Sequence, residues 1–162
     1  MSAGNSAPWR LRQAAEADVP LLAALYADAA RALGPSVYSP QQVVAWVSFG
    51  RDTPAFRDYV LGADTWLAET LDDVPRSIGF SGADDTGEVR SLYVSPGFGR
   101  QGLGAALLAA TLERGRARGL RHFEAWVTPL SRPVFERAGF RLVQTVQAEF
   151  AGELFERYRV AL

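Results

Sequence analysis

The stretch Leu92–Ala105, LYVSPGFGRQGLGA, decides the fold. It begins with an apolar strand pattern, passes through Gly97, Gly99 and Gly102, and continues into a long helical pattern. Glycines allow the backbone to approach a ligand closely, and the free N–H groups at a helix N-terminus favour a bound phosphate. The stretch therefore predicts a phosphate-binding loop between a strand and a helix.

The segments on both sides of this loop predict a single α/β (α+β) domain over residues 1–162, with a flexible tail at 1–8. Ser39, Pro40 and Gln42 have the spacing of a helix N-terminus with a capping box. We expect a mixed, largely antiparallel seven-stranded sheet flanked by about four helices, in the order β-α-α-β-β-β-α-β-α-β-β. The strands are expected at 9–14, 65–68, 77–80, 88–94, 121–127, 141–150 and 153–161, and the helices at 15–33, 40–49, 103–118 and 132–138, with a short turn at 54–61.

The composition excludes several kinds of chemistry. All 17 basic residues are arginine, so neither a lysine Schiff base nor a Walker A loop is available. The chain has no cysteine and one histidine, His122, so we expect no disulfide, no thiolate nucleophile and no metal site. A net charge of −1 argues against a nucleic-acid partner. The sequence shows neither a signal peptide nor an apolar run that could span a membrane, and a cytoplasmic protein is expected.

The same loop also fits a dinucleotide-binding pattern. Gly97, Gly99 and Gly102 satisfy G-x-G-x-x-G, and Glu124 follows at about the distance of a ribose-binding acid. In that fold, however, the loop belongs to the first strand and helix, whereas here three predicted strands precede the strand that leads into it. Too little chain remains after Gln101 for two mononucleotide-binding halves, so this alternative is disfavoured.

The loop resembles the core motif of the GCN5-related N-acetyltransferase (GNAT) superfamily, Q/R-x-x-G-x-G/A after a strand that ends in V-x-P. Residues 94–96 (VSP) and 102–104 (GLG) match it, and residues 135–140 (FERAGF) are similar to the superfamily's late F/Y-x-x-x-G-F segment. The element order agrees over nearly the whole chain. Two positions depart from the pattern: Gly99 replaces the usual Gln or Arg, and Phe135 stands where many members have a tyrosine that protonates the leaving thiolate.

This resemblance implies acetyl-CoA as co-substrate, bound where the strands at 88–94 and 121–127 separate. The N–H of Leu92 would face the thioester oxygen, a contribution worth about 3 kcal/mol in other enzymes. The N–H of Val94 would hold the pantetheine arm. The pyrophosphate would lie on the loop backbone of Gln101, Gly102, Leu103, Gly104 and Ala105, and Gly99 and Arg100 are also expected among the cofactor-binding residues.

The resemblance also suggests the groups that move protons. Glu88 occupies the position where histone-acetylating members carry a glutamate base, and Glu124 is a second candidate. Tyr93, Ser131 and Thr128 are the hydroxyls close in sequence that could protonate the thiolate. None of them holds the family position, and the thiolate of coenzyme A can leave without an enzyme acid.

The acceptor pocket is expected between the first two helices and the closing hairpin. Its candidate residues are Tyr38, Trp46, Phe49, Arg51, Glu124, Phe135 and Phe150. An aromatic wall suits a small-molecule amine better than a polycation, although a peptide acceptor stays open. The sequence thus predicts an acetyl-CoA-dependent N-acetyltransferase, monomeric or homodimeric. The alternative is a CoA-binding module that has lost catalysis, as the residues at Gly99 and Phe135 would allow.

Overall fold

The computed structural model describes residues 8–162, so the expected tail at 1–8 lies outside the described residues except for Pro8. Residues 8–162 form seven strands and five α-helices. In chain order they are β1 (Trp9–Gln13), α1 (Val19–Leu33), α2 (Pro40–Ser48), α3 (Pro54–Leu61), β2 (Asp64–Thr70), β3 (Ser77–Ala83), β4 (Val89–Val94), α4 (Leu103–Ala117), β5 (Glu124–Val127), α5 (Arg132–Arg137), β6 (Arg141–Phe150) and β7 (Glu153–Ala161). None of the helices within residues 8–162 has the length and apolar character needed to cross a membrane.

The helix ends follow from local sequence. The Ser39 hydroxyl accepts a hydrogen bond of 3.1 Å from the Gln42 N–H, and the Gln42 side chain accepts one of 2.8 Å from the Ser39 N–H. This confirms the expected capping box. The Thr53 side chain accepts from the Phe56 N–H in the same way, so residues 54–61 form a helix and not merely a turn. The helix count is therefore five, against about four expected.

The seven strands form two antiparallel sheets. Their orders are β1-β2-β3-β4 and β5-β7-β6. A single parallel bridge between Glu88 and Glu124 joins them, with the Glu124 N–H donating to the Gly87 carbonyl at 3.0 Å. The α/β class is as expected, and so is the order of elements along the chain apart from the additional helix α3, but the expected single sheet is divided in two. Beyond this bridge β4 and β5 form no further pairs, which opens the cleft between the two sheets.

Apolar side chains fill both faces of the first sheet. On one face Leu22 of α1 and Phe56 of α3 pack with Phe80 of β3. On the other face Leu103 and Leu107 of α4 form the core. The second sheet packs on α5 and on the C-terminal half of α4. These helices fix β4 from both sides, so its free edge is held in a defined place beside the cleft.

Candidate active site

The loop between β4 and α4 presents an open backbone surface. Gly102 precedes α4 with φ +80° and no side-chain cap, and a Cβ built at Gly97 or Gly102 would meet no heavy atom within 4 Å. The first backbone bond of the helix runs from the Ala106 N–H to the Gly102 carbonyl. Among the described residues, the N–H groups of Leu103 to Ala105 have no backbone partner. A phosphate group fits this place, because it would find free N–H donors, open space and the positive end of a 15-residue helix.

The edge of β4 that faces β5 carries two free N–H groups. The Ser95 N–H donates to the Ile78 carbonyl of β3 at 2.8 Å. Peptide directions alternate along a strand, so the N–H groups of Leu92 and Val94 point away from β3 and into the gap between the sheets. The residues expected to meet the thioester and the pantetheine arm therefore lie on the open edge of the strand.

A β-bulge in β4 directs Glu88 into the cleft. Ser91 pairs with Gly82 and Val89 pairs with Ala83, so β4 holds one extra residue, Arg90. Val89 consequently packs into the core beside α4, and Glu88 points to the opposite face. Without the bulge, Glu88 and Leu92 would share a face of the strand, because they are four positions apart and side chains alternate with a period of two.

The Glu88 carboxyl is half buried at the wall of the cleft. Burial raises its pKa above the ordinary value, and the nearby Asp84 carboxylate adds to the effect. Arg90 and Arg157 oppose it through their positive charges. Asp84 itself is engaged by the Thr86 side chain and N–H and by Arg90, so it is less available as a base. Of the two carboxyls, Glu88 is the one suited to accept a proton.

The cleft continues into a cavity of about 320 Å³ with largely aromatic walls. A second hollow of about 380 Å³ adjoins it, and the two share five residues: Phe49, Tyr59, Arg90, Trp126 and Arg157. Glu88 lines the second hollow. We call the two hollows together the acceptor cleft. The other residues of the 320 Å³ cavity are Tyr26, Tyr38, Trp46, Tyr93, Val127, Thr128, Ala148, Glu149, Phe150 and Phe155.

Phenol groups gather at the inner wall of this cavity. The Trp46 indole Nε1 donates to the Tyr93 hydroxyl at 3.3 Å, and the Tyr26 and Tyr93 ring centroids are 4.5 Å apart. Burial raises the pKa of Tyr93, whereas the bond from Trp46 opposes this rise. Tyr59 also approaches the Tyr93 hydroxyl and its own pKa is raised by burial. These hydroxyls stay neutral at physiological pH and can donate or accept hydrogen bonds.

Four of the residues expected at the acceptor pocket line the cavity, namely Tyr38, Trp46, Phe49 and Phe150. The expectation for Phe135 is corrected: its ring is buried in the core and packs edge-on against Phe140, with ring centroids 5.1 Å apart. The expectation for Glu124 is also corrected, because it does not line the cleft and its carboxylate is bound by Arg159 at 2.6 and 3.1 Å. Arg51 does not line the cleft either.

The remaining hydroxyl candidates lie on β4 and in the turn that follows β5. Tyr93 lines the cavity, as does Thr128 at the end of β5. The Ser131 hydroxyl is 3.3 Å from the Thr128 hydroxyl and accepts from the Thr128 N–H at 3.2 Å. Ser131 thereby holds the turn after β5, and its part in proton transfer stays a prediction.

Several cleft residues were not expected from the sequence: Tyr26, Tyr59, Trp126, Phe155 and Arg157. Tyr26 has the helical spacing of a core residue, and it does pack in the core as well as lining the cavity. The alternation of β7 could have indicated that Phe155 and Arg157 share a face. It could not have indicated that this face turns toward α2, because that depends on how the two sheets meet.

A cleft between two diverging sheets, with a phosphate loop at one end and a half-buried carboxyl at the other, fits a transferase that uses a phosphate-bearing co-substrate. The chain belongs to the acetyltransferase (GNAT) domain family, whose model matches residues 36–162. An uncharacterized N-acetyltransferase of Escherichia coli, YafP, is 26% identical over 149 residues, with 92% of each chain covered.

Two solved structures share the fold. A GCN5-related N-acetyltransferase from Rhodopseudomonas palustris superposes with a TM-score of 0.87 at 24% identity, covering 96% of this chain and 95% of that one. The PaiA N-acetyltransferase from Thermoplasma acidophilum, solved in complex with coenzyme A, gives a TM-score of 0.75 at 14% identity, covering 94% and 97%.

Proposed function

We propose that the protein transfers the acetyl group of acetyl-CoA to the primary amine of a small molecule by direct attack within a ternary complex. The observation that carries this proposal is the place of the free β4 edge. The N–H groups of Leu92 and Val94 lie between the phosphate loop and the acceptor cleft that holds Glu88. Membership in the acetyltransferase family supports the same reaction class.

The residues of the loop and of β4 fit acetyl-CoA along its length. The backbone N–H groups of residues 101–105 would hold the pyrophosphate, with the α4 dipole favouring the negative charge. The Val94 N–H would bind the pantetheine arm, and the Leu92 N–H would donate to the thioester oxygen. Acetyl-CoA supplies the activated acetyl group and its own thiol leaving group. The PaiA N-acetyltransferase, which shares the fold, was solved in complex with coenzyme A, and this supports a coenzyme A thioester as the co-substrate.

Glu88 would make the amine nucleophilic. An alkylamine is mostly protonated near pH 7, so one proton must leave before its lone pair can attack. Glu88 accepts that proton directly or through one water, and its raised pKa makes it a stronger base than an exposed glutamate. The nitrogen lone pair then forms the C–N bond to the acetyl carbon, the C–S bond breaks, and its electron pair stays on sulfur. The second nitrogen proton is lost to the thiolate or to solvent.

The buried ring of Phe135 offers no proton to the departing sulfur. A thiol has a pKa of about 8.5, so its thiolate leaves without an enzyme acid at moderate cost. Tyr93 and Ser131 are the proposed hydroxyls near this step. The stabilisation of the thioester oxygen by the Leu92 N–H and the close placement of the amine would then supply most of the rate enhancement.

A CoA-binding module without activity is the second candidate, favoured by Phe135 and by Gly99 at the first motif position. The deciding experiment measures thiol release from acetyl-CoA across an amine panel, together with calorimetric binding of coenzyme A. Turnover that depends on the amine supports the enzyme. Saturable coenzyme A binding without any acetylated product identifies the inactive module. Thermal stabilisation by NAD but not by coenzyme A would overturn both.

The proposal includes a cytoplasmic protein that acts as a monomer or homodimer and uses neither nucleic acid nor membrane as partner. Neither the loop chemistry nor the acceptor cleft needs a second chain, since all of the residues named above come from one. Light scattering of the purified protein with and without acetyl-CoA would establish which of the two states is active.

A further inference from the structure

We infer that the acceptor is an α-amino acid with an aromatic side chain, bound through its carboxylate by Arg157. This inference rests on the proposed acetyl transfer and adds the substrate class. Three features of the acceptor cleft support it: an arginine without a carboxylate partner, a carboxylate close to it, and an adjoining aromatic cavity.

Arg157 is the cleft arginine whose charge is not neutralised. Its guanidinium lies over the Trp126 ring at 4.8 Å from the centroid, and it lines both hollows of the acceptor cleft. Among the described residues it forms no ion pair, in contrast to Arg90, which is held by Asp84 and Asp58. An arginine does not lose its proton, so this fork of N–H donors is available for an anion of the ligand.

The fold holds the backbone of Arg157 beside the cleft, and stacking restricts its exposed side chain. Arg157 lies on β7, which is the central strand of the second sheet, and its backbone pairs with Val146 of β6. The stacking on Trp126 of β5 restricts the side chain as well. This stacking reduces the conformational entropy that the guanidinium loses when it binds a planar carboxylate.

Glu88 supplies the opposite charge in the same hollow. Glu88 and Arg157 both line the 380 Å³ hollow, and the charge of Arg157 lowers the Glu88 pKa although the two form no ion pair. An α-amino acid carries its ammonium and its carboxylate on one carbon. The separated charges of Glu88 and Arg157 therefore complement an α-amino acid, whose amine would lie toward Glu88 and whose carboxylate would lie toward Arg157.

The aromatic cavity accommodates the side chain of such an acceptor. Its volume of about 320 Å³ lies at the small end of ligand pockets. Phe49, Tyr59 and Trp126 border both hollows, so the aromatic walls run from the charged hollow into the cavity, whose lining also includes Arg90, Arg157 and Glu149. Aromatic rings pack favourably in edge-to-face or offset contacts with such walls.

The experiment compares matched amines that differ only in the carboxylate. L-phenylalanine is tested against 2-phenylethylamine, and L-tryptophan against tryptamine, with acetyl-CoA as donor and kcat/KM from thiol release. We expect each amino acid to exceed its partner by about tenfold or more, through a lower KM, as one charge-assisted contact provides. L-alanine serves as the amino acid without an aromatic side chain and is expected to be about tenfold poorer than L-phenylalanine.

Arg157→Gln is the decisive variant, and Arg141→Gln is its matched control. Arg141 is an exposed arginine of the same sheet that does not line the acceptor cleft. Arg157→Gln should abolish the preference of L-phenylalanine over 2-phenylethylamine, whereas Arg141→Gln should retain it. Calorimetric binding of N-acetyl-L-phenylalanine provides a readout without turnover, and its affinity should fall about tenfold in Arg157→Gln alone.

The possible failures are distinguishable. Acetylation of all of the amines with no carboxylate preference, or a preference that survives in Arg157→Gln, overturns this inference and leaves the acetyltransferase proposal standing. Equal rates for L-alanine and L-phenylalanine overturn its aromatic part. Absence of acetylation with every amine, with coenzyme A still bound, overturns the proposed function and this inference with it.

Discussion

The Trp46 indole donates a hydrogen bond of 3.3 Å to the Tyr93 hydroxyl and thereby joins helix α2 to strand β4. Trp46 belongs to the wall of the acceptor cavity, whereas Tyr93 is the neighbour of Leu92, whose N–H faces the gap between the sheets. The wall of the acceptor cavity is thus in direct contact with the strand that would hold the thioester.

Tyr93→Phe tests whether this hydroxyl positions the acceptor or donates a proton. Because its oxygen accepts the Trp46 N–H inside the cavity, we expect a positioning role, with an acceptor KM about fivefold higher and a largely unchanged kcat. Tyr38→Phe is the matched control, since it removes another hydroxyl group from the lining of the same cavity. The Tyr38 ring packs edge-on against Trp46, with ring centroids 5.5 Å apart. A fall in kcat at neutral pH with unchanged KM, and a smaller difference from the wild type at alkaline pH where Tyr93 itself loses its proton, would instead identify Tyr93 as the proton donor.

Glu88→Gln tests the proposed base. We expect kcat to fall by about 100-fold or more, since general base catalysis contributes on that order. A carboxylate acts as a base only above its own pKa, so the wild-type rate should rise as pH increases through the raised pKa of Glu88 and then level off. This acidic limb should vanish in the variant, as measured by pH profiles of kcat.

Glu124→Gln is the control for that experiment. Glu124 forms the parallel bridge with Glu88, but its carboxylate is held by Arg159. We expect its removal to leave the acidic limb of the rate in place. Loss of the limb in Glu124→Gln but not in Glu88→Gln would exchange the roles of the two carboxylates.

The sequence was sufficient to predict the features that depend on neighbours along the chain. The capping box of Ser39 and Gln42, the glycine loop before α4 and the hairpin of β6 and β7 each occur within the expected residues. Local hydrogen bonds and alternating apolar residues determine such features, and both can be recognised in a sequence.

The features that the sequence did not reveal depend on strands that meet from distant parts of the chain. The extra residue Arg90 becomes a bulge only because β4 pairs with β3, and this bulge turns Glu88 into the cleft. Simple alternation would have placed Glu88 on the same face as Leu92. Arg157 reaches the cleft because the second sheet turns that face of β7 toward α2, which no local pattern specifies.

Gly102→Glu tests the phosphate loop. The backbone of the new residue must keep φ +80°, and its carboxylate would lie among the N–H groups that are proposed to hold the pyrophosphate. We expect coenzyme A affinity to fall by about 100-fold or more, because a charge of the wrong sign replaces space for the ligand. Isothermal titration calorimetry measures the affinity directly.

Gly119→Glu separates this effect from backbone strain. Gly119 follows the same helix at its other end, has φ +96°, and likewise has no heavy atom within 4 Å of a built Cβ. The strain and the added charge are therefore similar, but the phosphate loop is untouched. We expect coenzyme A to bind Gly119→Glu with wild-type affinity, and equal losses in both variants would show that the loop is not the binding site.

Asp18→Asn tests the ion-pair cluster that fixes β1 to α1. The Asp18 carboxylate accepts bonds of 2.9 and 2.8 Å from Arg12 and of 2.7 Å from the Ala15 N–H. The bonds from Arg12 hold its pKa below the ordinary value of 3.8, although burial opposes them. Because the pKa is lower in the folded than in the unfolded protein, the Asp18 carboxylate contributes its full stabilisation above pH 3.8. This stabilisation is lost as the pH falls from 3.8 through the lower pKa of the folded state. We expect Asp18→Asn to reduce the free energy of unfolding at pH 7 by about 2 kcal/mol and to make its decline below pH 4 less steep. Urea unfolding at pH 7 and pH 3 measures both effects.

Asp28→Asn is the control, because it removes an exposed ion pair with Arg31. It should lower the free energy of unfolding by about 0.5 kcal/mol or less, and an equal loss in both variants would contradict the importance of the buried cluster.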